Sequence, residues 1–314
     1  MARPMEGSLG ISVIVAARNA EDEVGGLLEA LDRQHDPGTP HEVIVVDDAS
    51  TDRTREIVAR HSRARLIPLP VPVGAPRARN IGLAEAQGEL IAITDSDCTP
   101  ADDWLAAGAA RFAADPGLDV LGGAIDVTLP ETPTVPALVD AARFLDQERM
   151  VGAGFAISAN MWIRADVLRS VGGFNEALRP NAQEDVELGR LLTQAGRRIE
   201  FAPEVVVRHP ARGTFRDLAR KGYRLGRAHP ILRRHARVRG PWLRPYWLRR
   251  RVLVPHGTVS RMSRLHRRGI HPGRAQRAAM FATEVACVSL LHVTGDLVGT
   301  AAGLLDRALN RRPG

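Results

Sequence analysis

The chain predicts an α/β fold, a mostly parallel central sheet flanked by helices, with a helical basic extension at its C-terminal end. Two features carry that prediction. Short apolar runs alternate with helix-periodic stretches through the first hundred residues, and each run ends in polar or acidic residues. The 314-residue length also has room for one large α/β domain with appendages. In such sheets ligands sit beyond the carboxyl ends of the strands, so polar residues at those ends are the first candidates for function.

The elements follow in order. Residues 11–16 (ISVIVA) form a continuous apolar strand, and Val24, Leu27, Leu28 and Leu31 recur at helical spacing within 21–34. Residues 42–46 (EVIVV) form the second strand and run into Asp47, Asp48, Ala49, Ser50 and Thr51, where Ser50 or Thr51 is placed to cap a helix continuing through Ile57. A third strand is expected near Leu66 and a helix over 76–87, followed by a strand over 90–94 that ends at Asp95, Ser96 and Asp97. Further along, strands are expected around 161–163, near Ile199 and over 205–207, with a turn at Gly172-Gly173-Phe174 and a helix over 184–195. Past His209 the chain reads as Arg-rich helix broken at Pro230, Pro241, Pro245 and Pro255.

Composition excludes several classes. With 44% hydrophobic and 25% charged residues the chain is globular rather than disordered or collagen-like. Cys98 and Cys287 are too few for a disulfide framework, no CxxC pair or HExxH helix offers a zinc site, and MARPMEGSLG lacks the apolar stretch of a signal peptide. A cytoplasmic location is therefore expected. The formal charge of +7 hides two unlike halves: residues 1–207 hold 19 arginines against 32 acids, whereas residues 208–277 hold 21 basic residues against Asp217 alone. That basic stretch invites an anionic partner, although 42 of the 43 basic residues are Arg and part of the excess reflects overall composition. Only 4% of residues are aromatic, which leaves few stacking platforms for bases and argues against a nucleic-acid partner.

The chemistry concentrates in a few residues. Asp95 and Asp97 stand two apart at a strand end, where paired carboxylates can bind Mg²⁺ or Mn²⁺ and bridge a substrate phosphate. Glu184, Asp185 and Glu187 open a helix, where the helix dipole favours acids in any case. Gly152-Ala-Gly154 has Ile157 where a dinucleotide-binding GxGxxG would need its third glycine, and no P-loop lysine motif or GxSxG elbow is present.

Four segments in order, VIVAARN, VIVVDDASTD, GAPRARNIGLAEAQGELIAITDSDC and the later QED, resemble the inverting family 2 glycosyltransferases, which have the A-type glycosyltransferase (GT-A) fold. The resemblance covers about residues 10–210. It implies a tail at 1–9, a catalytic domain at 10–210 with a nucleotide-binding half (10–100) and an acceptor half (101–210), an Arg-rich helical extension at 211–277 and an apolar helical segment at 278–314. It also implies a nucleotide-sugar donor, a UDP-sugar in the first instance, and a hydroxyl acceptor on a glycan or a lipid-linked sugar, as in cell-envelope polysaccharide synthesis.

Residue by residue, the resemblance assigns Asp48 to the donor nucleobase, with Ala16 and Arg18 lining its pocket and Arg77 or Arg79 near the nucleotide. Asp97, with Asp95, would hold the metal on the donor diphosphate, and His209 resembles a histidine that serves some relatives as an extra ligand. Asp185 would be the base that takes the acceptor proton, with Glu184, Asn160 and Phe174 on the acceptor side. One departure is Ala20, where many relatives carry Glu. The Gln-x-x-Arg-Trp signature of processive synthases does not occur, which favours single addition. A nucleotidyltransferase or other nucleotide-diphosphate enzyme is the alternative, but it leaves Asp185 and the DDAST segment without a role.

Arg216, Arg220, Lys221, Arg224 and Arg227 recur at three- and four-residue steps, placing cations along one helix face suited to an anionic bilayer. The apolar stretch 278–305, interrupted by Glu284, His292 and Asp296, is expected either to lie in the membrane interface or to pack on the catalytic domain, not to span. Together these predict peripheral attachment at the inner face of the cell membrane.

Overall fold

The computed structural model describes residues 10–178, 183–239, 258–291, 293–298 and 300–301. The chain divides into two compact units: the first comprises residues up to Asp126, Asp146–Glu176 and Glu184–Pro210, and the second Val127–Leu145, Ala177–Gln183 and the chain from Ala211 onward. Two segments that the sequence groups with the catalytic half, 127–145 and 177–183, thus belong to the second unit.

The first unit is built on β1 (Ile11–Ala17), α1 (Val24–Asp32), β2 (His41–Asp47), α2 (Thr54–Arg60), β3 (Ala64–Pro68), α3 (Ala75–Glu85) and β4 (Leu90–Asp95). These are followed by β5 (Thr99–Pro100), α4 (Trp104–Ala114) and β6 (Val120–Thr128). The sheet order is β3-β2-β1-β4-β7-β6-β8-β5, with β7 at Asn160–Arg164 and β8 at Ile199–Pro210. Strands β3, β2, β1 and β4 are parallel, while β7 runs antiparallel to β4 and β6, and β5 antiparallel to β8. Burial on both faces explains why β1, β2 and β4 read as unbroken Val/Ile runs: their central residues are inaccessible to solvent. One core joins Ile14, Ile44 and Ile93 of these strands to Met161, Leu188 and Phe174.

Several local expectations change. Helix α1 begins at Val24, and α2 begins at Thr54 with no side-chain cap. Ser50 and Thr51 instead tie two strand-end loops together: Ser50 Oγ accepts from the Asn19 amide (2.9 Å), and Asn19 Oδ1 accepts from the Thr51 amide (2.9 Å). The two strands expected near Ile199 and over 205–207 are one strand, β8.

The second unit contains α5 (Val135–Arg143), α9 (Phe215–His235), α10 (Thr258–Arg267), α11 (Arg274–Thr283) and a π-helical turn at Glu284–Leu290; α6 (Gln147–Gly152), α7 (Ala165–Ser170) and α8 (Glu184–Gln194) belong to the first. Its core gathers Val127, Leu138, Leu218, Met262, Leu265 and Met280. Pro230 lies inside α9 rather than breaking it. The lost hydrogen bond is offset by packing on both sides of it, with Ala228, His229 and Leu232 all buried. Pro241, Pro245, Pro255 and His292 fall outside the described residues.

Lys221 leaves the expected cationic stripe. It is buried 3.1 Å from Asp140 and over the Phe144 ring (3.8 Å), and burial pushes its ammonium down to about 7. Helix α11 packs on α5 and the Glu284–Leu290 turn on α9 within this unit, held by the Arg143–Glu284 and Arg233–Asp296 ion pairs, and the rest of the apolar segment from residue 302 lies outside the described residues. Among the described residues no helix is long and apolar enough to cross a membrane.

A tight aromatic contact in the first unit supplies a test. Trp104 and Trp162 meet edge to face at 4.9 Å, and a Cβ added at Gly108 would lie 2.5 Å from the Trp162 ring. Gly108→Ala should therefore cost about 1–3 kcal/mol despite its better helix propensity. Denaturant unfolding followed by tryptophan fluorescence measures it, and an unchanged midpoint contradicts this packing.

Candidate active site

The parallel register assembles the first part of the site. Ala16 pairs with Asp95, and Ala17 with Asp47, so the ends of β1, β2 and β4 lie side by side. Asp48 follows directly and is buried; its two carboxylate oxygens accept from the amides of Val73 and Gly74, which fixes the start of α3. The turn after it is strained at Ala49, φ 57°, whereas Asn19 on the loop after β1 holds φ 50°, a conformation Asn tolerates. Arg18 is exposed on the loop after β1, and Arg77 lies on the open side of α3, 3.7 Å from Glu176. Where the sequence departs at Ala20, its amide donates to Thr54 Oγ1, and Glu21 turns to the Arg53 backbone and side chain.

Beyond β4 the chain turns through a Cys98 N–H to Asp95 carbonyl bond and enters β5, whose Thr99 pairs with Arg208 of β8. That antiparallel register carries His209 across to Asp97, with Nε2 3.4 Å from Oδ2. His209 Nδ1 lies 2.8 Å from the Pro210 carbonyl oxygen, so Nδ1 carries the hydrogen and the Nε2 lone pair faces the carboxylate. At that distance the imidazole lone pair and the carboxylate oxygen are placed to share a cation. Donor atoms of Asp97, Cys98 and His209 fall within 4.8 Å of one another. Burial, with Asp95 and Asp97 adding to it, raises the Cys98 thiol well above its ordinary value, so it stays neutral and is a poor ligand for a hard cation. The oxygen and imidazole pair is the part of the cluster that fits Mn²⁺ or Mg²⁺. Asp95 lies outside that group of three, and its Oδ1 accepts from Arg79 (2.9 Å).

Arg79 is the centre of the second part. Its guanidinium is buried, donating through one nitrogen to Asp95 and through the other to Glu184 Oε1 (2.8 Å). Its face lies over the Phe174 ring at 5.4 Å. Phe174 is itself buried and clamped by Asn80, whose Oδ1 accepts from its amide (2.8 Å) and whose Nδ2 donates to its carbonyl (2.8 Å). Gly173 next to it, at φ 65°, leaves space that a Cβ would fill 2.4 Å from Asn80 Oδ1. The structure thus makes Phe174 a floor beneath Arg79 rather than an acceptor contact. Asn160 is corrected likewise: it is buried, accepts from Trp104 Nε1 (2.9 Å) and donates to the carbonyls of Ala124 and Val205 (both 2.8 Å), which leaves no N–H for a sugar.

Asp185 stands beside this bridge in the first turn of α8, directly after Gln183 at φ 74°. Loss of solvation, then the neighbouring Glu184 charge, raises its carboxyl to about 7, against the opposing pull of Arg79. Neither the Arg79–Glu184 pair nor the Asp97–His209 pair is marked by local sequence, since each joins residues more than a hundred positions apart.

The family model described as "Glycosyl transferase family 2" matches residues 12–172. The chain is 31% identical over 222 residues to the glycosyltransferase AglE of Haloferax volcanii, covering 69% of this chain and 72% of that protein. It is 33% identical over 204 residues to the pre-mycofactocin glycosyltransferase of Mycobacterium tuberculosis, covering 62% of this chain and 43% of the relative. Its fold is similar to the mannosyltransferase PcManGT from Pyrobaculum calidifontis, solved with GDP-Man and Mn²⁺ (TM-score 0.57, 21% identity, 99% of this chain and 90% of that one). It is also similar to TarS 1–349 from Staphylococcus aureus in complex with UDP-GlcNAc (TM-score 0.54, 20% identity, 95% and 92%).

The elevated Asp185 carboxyl has a thermodynamic signature. The unfolded chain releases this proton near 3.8 and the folded protein only near 7, so stability falls as pH rises between those values and is level above them. Asp185→Asn should therefore stabilise the protein at pH 8 by about 2 kcal/mol, below the full linkage value because the carboxylate keeps some access to water, and should change little at pH 4. Urea unfolding at the two pH values checks it; equal effects at both refute the elevated carboxyl.

Proposed function

The chain belongs to glycosyl transferase family 2 and has the GT-A fold, and on that premise we propose that it is a metal-dependent inverting enzyme that moves one sugar from a nucleotide-diphosphate sugar to a hydroxyl acceptor. The observation that carries this reading is the buried Arg79, which joins Asp95 at the strand end to Glu184 beside Asp185. One guanidinium thereby ties a donor-side carboxylate to the helix that bears a carboxyl suited to general-base work.

In this mechanism Asp185 accepts the proton of the acceptor hydroxyl, and a value near 7 suits a base that must be ionised yet strong enough to take it. The acceptor oxygen bonds to the anomeric carbon as the bond to the diphosphate oxygen breaks on the opposite face, and the nucleoside diphosphate leaves. Asp97 and His209 are the residues that would hold Mn²⁺ or Mg²⁺ there. The cation, when bound, neutralises charge developing on the diphosphate. Asp48, Ala16 and Arg18 line the nucleotide end, Asp95 meets the donor sugar, and Arg77 lies at the rim. A UDP-sugar is the first donor to try, and a glycan or lipid-linked sugar the acceptor class. The missing Gln-x-x-Arg-Trp signature favours single addition over polymerisation.

A thermal-shift series with UDP-, GDP-, CMP- and TDP-sugars, with and without Mn²⁺, tests the donor half. One nucleotide class should raise stability in a metal-dependent way, by about 2.7 kcal/mol at a hundredfold excess over Kd. Asp97→Ala and His209→Ala should remove the metal-dependent part. Asp185→Asn should retain it while transfer falls about 10²–10⁴-fold; normal turnover by that variant would overturn the base assignment, and a retained anomeric configuration in the product would overturn inversion.

A further inference from the structure

The proposed reaction leaves the cationic C-terminal stretch without a role, and the second unit shows how its charge is arranged. Helix α9 sorts its basic residues into two sets. Lys221 and Arg233 turn inward and are neutralised by the fully buried Asp140 and Asp296. Arg216, Arg220, Arg224, Arg227 and Arg234 are exposed. At 100° per residue these five fall within a single sector of about 80°, opposite the buried Leu218 and His229. Asp217 is the helix's sole acid, paired with Arg220 at 3.9 Å. The stripe runs from the first turn to the last of a 21-residue helix, about 30 Å at 1.5 Å per residue.

Apolar side chains are exposed in the same unit. Phe215 opens α9 at 55% exposure, and the helical turn whose Asp296 pairs with Arg233 presents Leu297 (50%) and Val298 (42%) to solvent. Gly295 brings that turn against the α9 backbone, where a Cβ would meet the Tyr223 carbonyl oxygen at 2.4 Å. We propose that this exposed arginine stripe of α9 docks the protein on an anionic lipid bilayer. A bilayer matches it in three respects. It is an extended anionic plane with the reach of the whole helix, which a single phosphate lacks. It also accepts the Phe, Leu and Val side chains that the same unit exposes. Guanidinium groups pair with lipid phosphates in a bidentate manner, so an all-arginine stripe suits that surface. Nucleic acid offers phosphates too, but Tyr223 is the one aromatic side chain of α9 that borders the stripe, too few for successive bases to stack on.

The test is co-sedimentation of the full chain with phosphatidylcholine vesicles, with or without phosphatidylglycerol, at low and high salt. Binding should require the anionic lipid and weaken as salt rises. The triple variant Arg216→Glu, Arg220→Glu, Arg227→Glu should lower vesicle partitioning at least about 100-fold, since each arginine near an anionic surface contributes roughly fivefold. The milder triple Gln variant should fall between, and both should keep the metal-dependent nucleotide-sugar shift, which separates failure of docking from failure of the transferase reading. Undiminished binding by folded Glu and Gln variants, equal binding to neutral vesicles, or retention on a duplex-DNA probe with no vesicle binding overturns the proposal.

Discussion

The candidate site depends on one buried cation. Arg79 is the point at which three separately encoded pieces meet: the end of β4 through Asp95, the start of α8 through Glu184, and the loop after α7 through the Phe174 ring beneath it. A guanidinium in so enclosed a place is tolerable only because two carboxylates and an aromatic face surround it, and removing both acids would leave an uncompensated buried charge. Its Nε–H has no partner, so the arrangement satisfies the ends of the fork and not its base. That imbalance is the mark of a group whose position is dictated by the residues it must hold.

The electrostatics follow from that placement. Glu184 and Asp185 are adjacent acids in one helical turn, and Arg79 pairs with the first of them. Burial, with the adjacent Glu184 adding to it, keeps a proton on Asp185 to near neutrality. Two adjacent carboxylates thereby sit in different environments, one paired with Arg79 and one whose proton affinity is raised. On the other side of Arg79, the histidine is set by a backbone carbonyl rather than by an acid. Its hydrogen is fixed on Nδ1, and Nε2 is left directed at Asp97.

Much of this was legible in the sequence, and the limits have physical causes. Strands β1, β2 and β4 were readable because burial on both faces demands continuous Val and Ile, and the acidic residues that end β2 and β4 were readable because a strand's carboxyl end is where a sheet exposes polar groups. Asp185 stood out through the QED segment and the helix it opens. What sequence could not show was pairing. Asn160 was placed near the sugar, yet its amide is taken up by three partners on three other elements, a fact that depends on strand order rather than spacing. Lys221 sat on the basic face by helical arithmetic until Asp140, 81 residues earlier, drew it inward. Pro230 reads as a breaker, but tertiary packing carries the helix through it.

The first turns of α3 place one further condition on this protein's history. Gly74 is anchored by Asp48, Arg79 reaches the two acids, and Asn80 clamps the loop beneath, all within seven consecutive residues. Inserting or deleting one residue there would swing everything beyond it by about 100° around the helix axis. The exposed connection around Gly38 bears no such load and can vary in length. Evolution is thus free to exchange side chains on the outer face of α3 and to lengthen outlying loops, whereas the count of residues between Asp48's anchor and the Asn80 clamp is held constant by geometry.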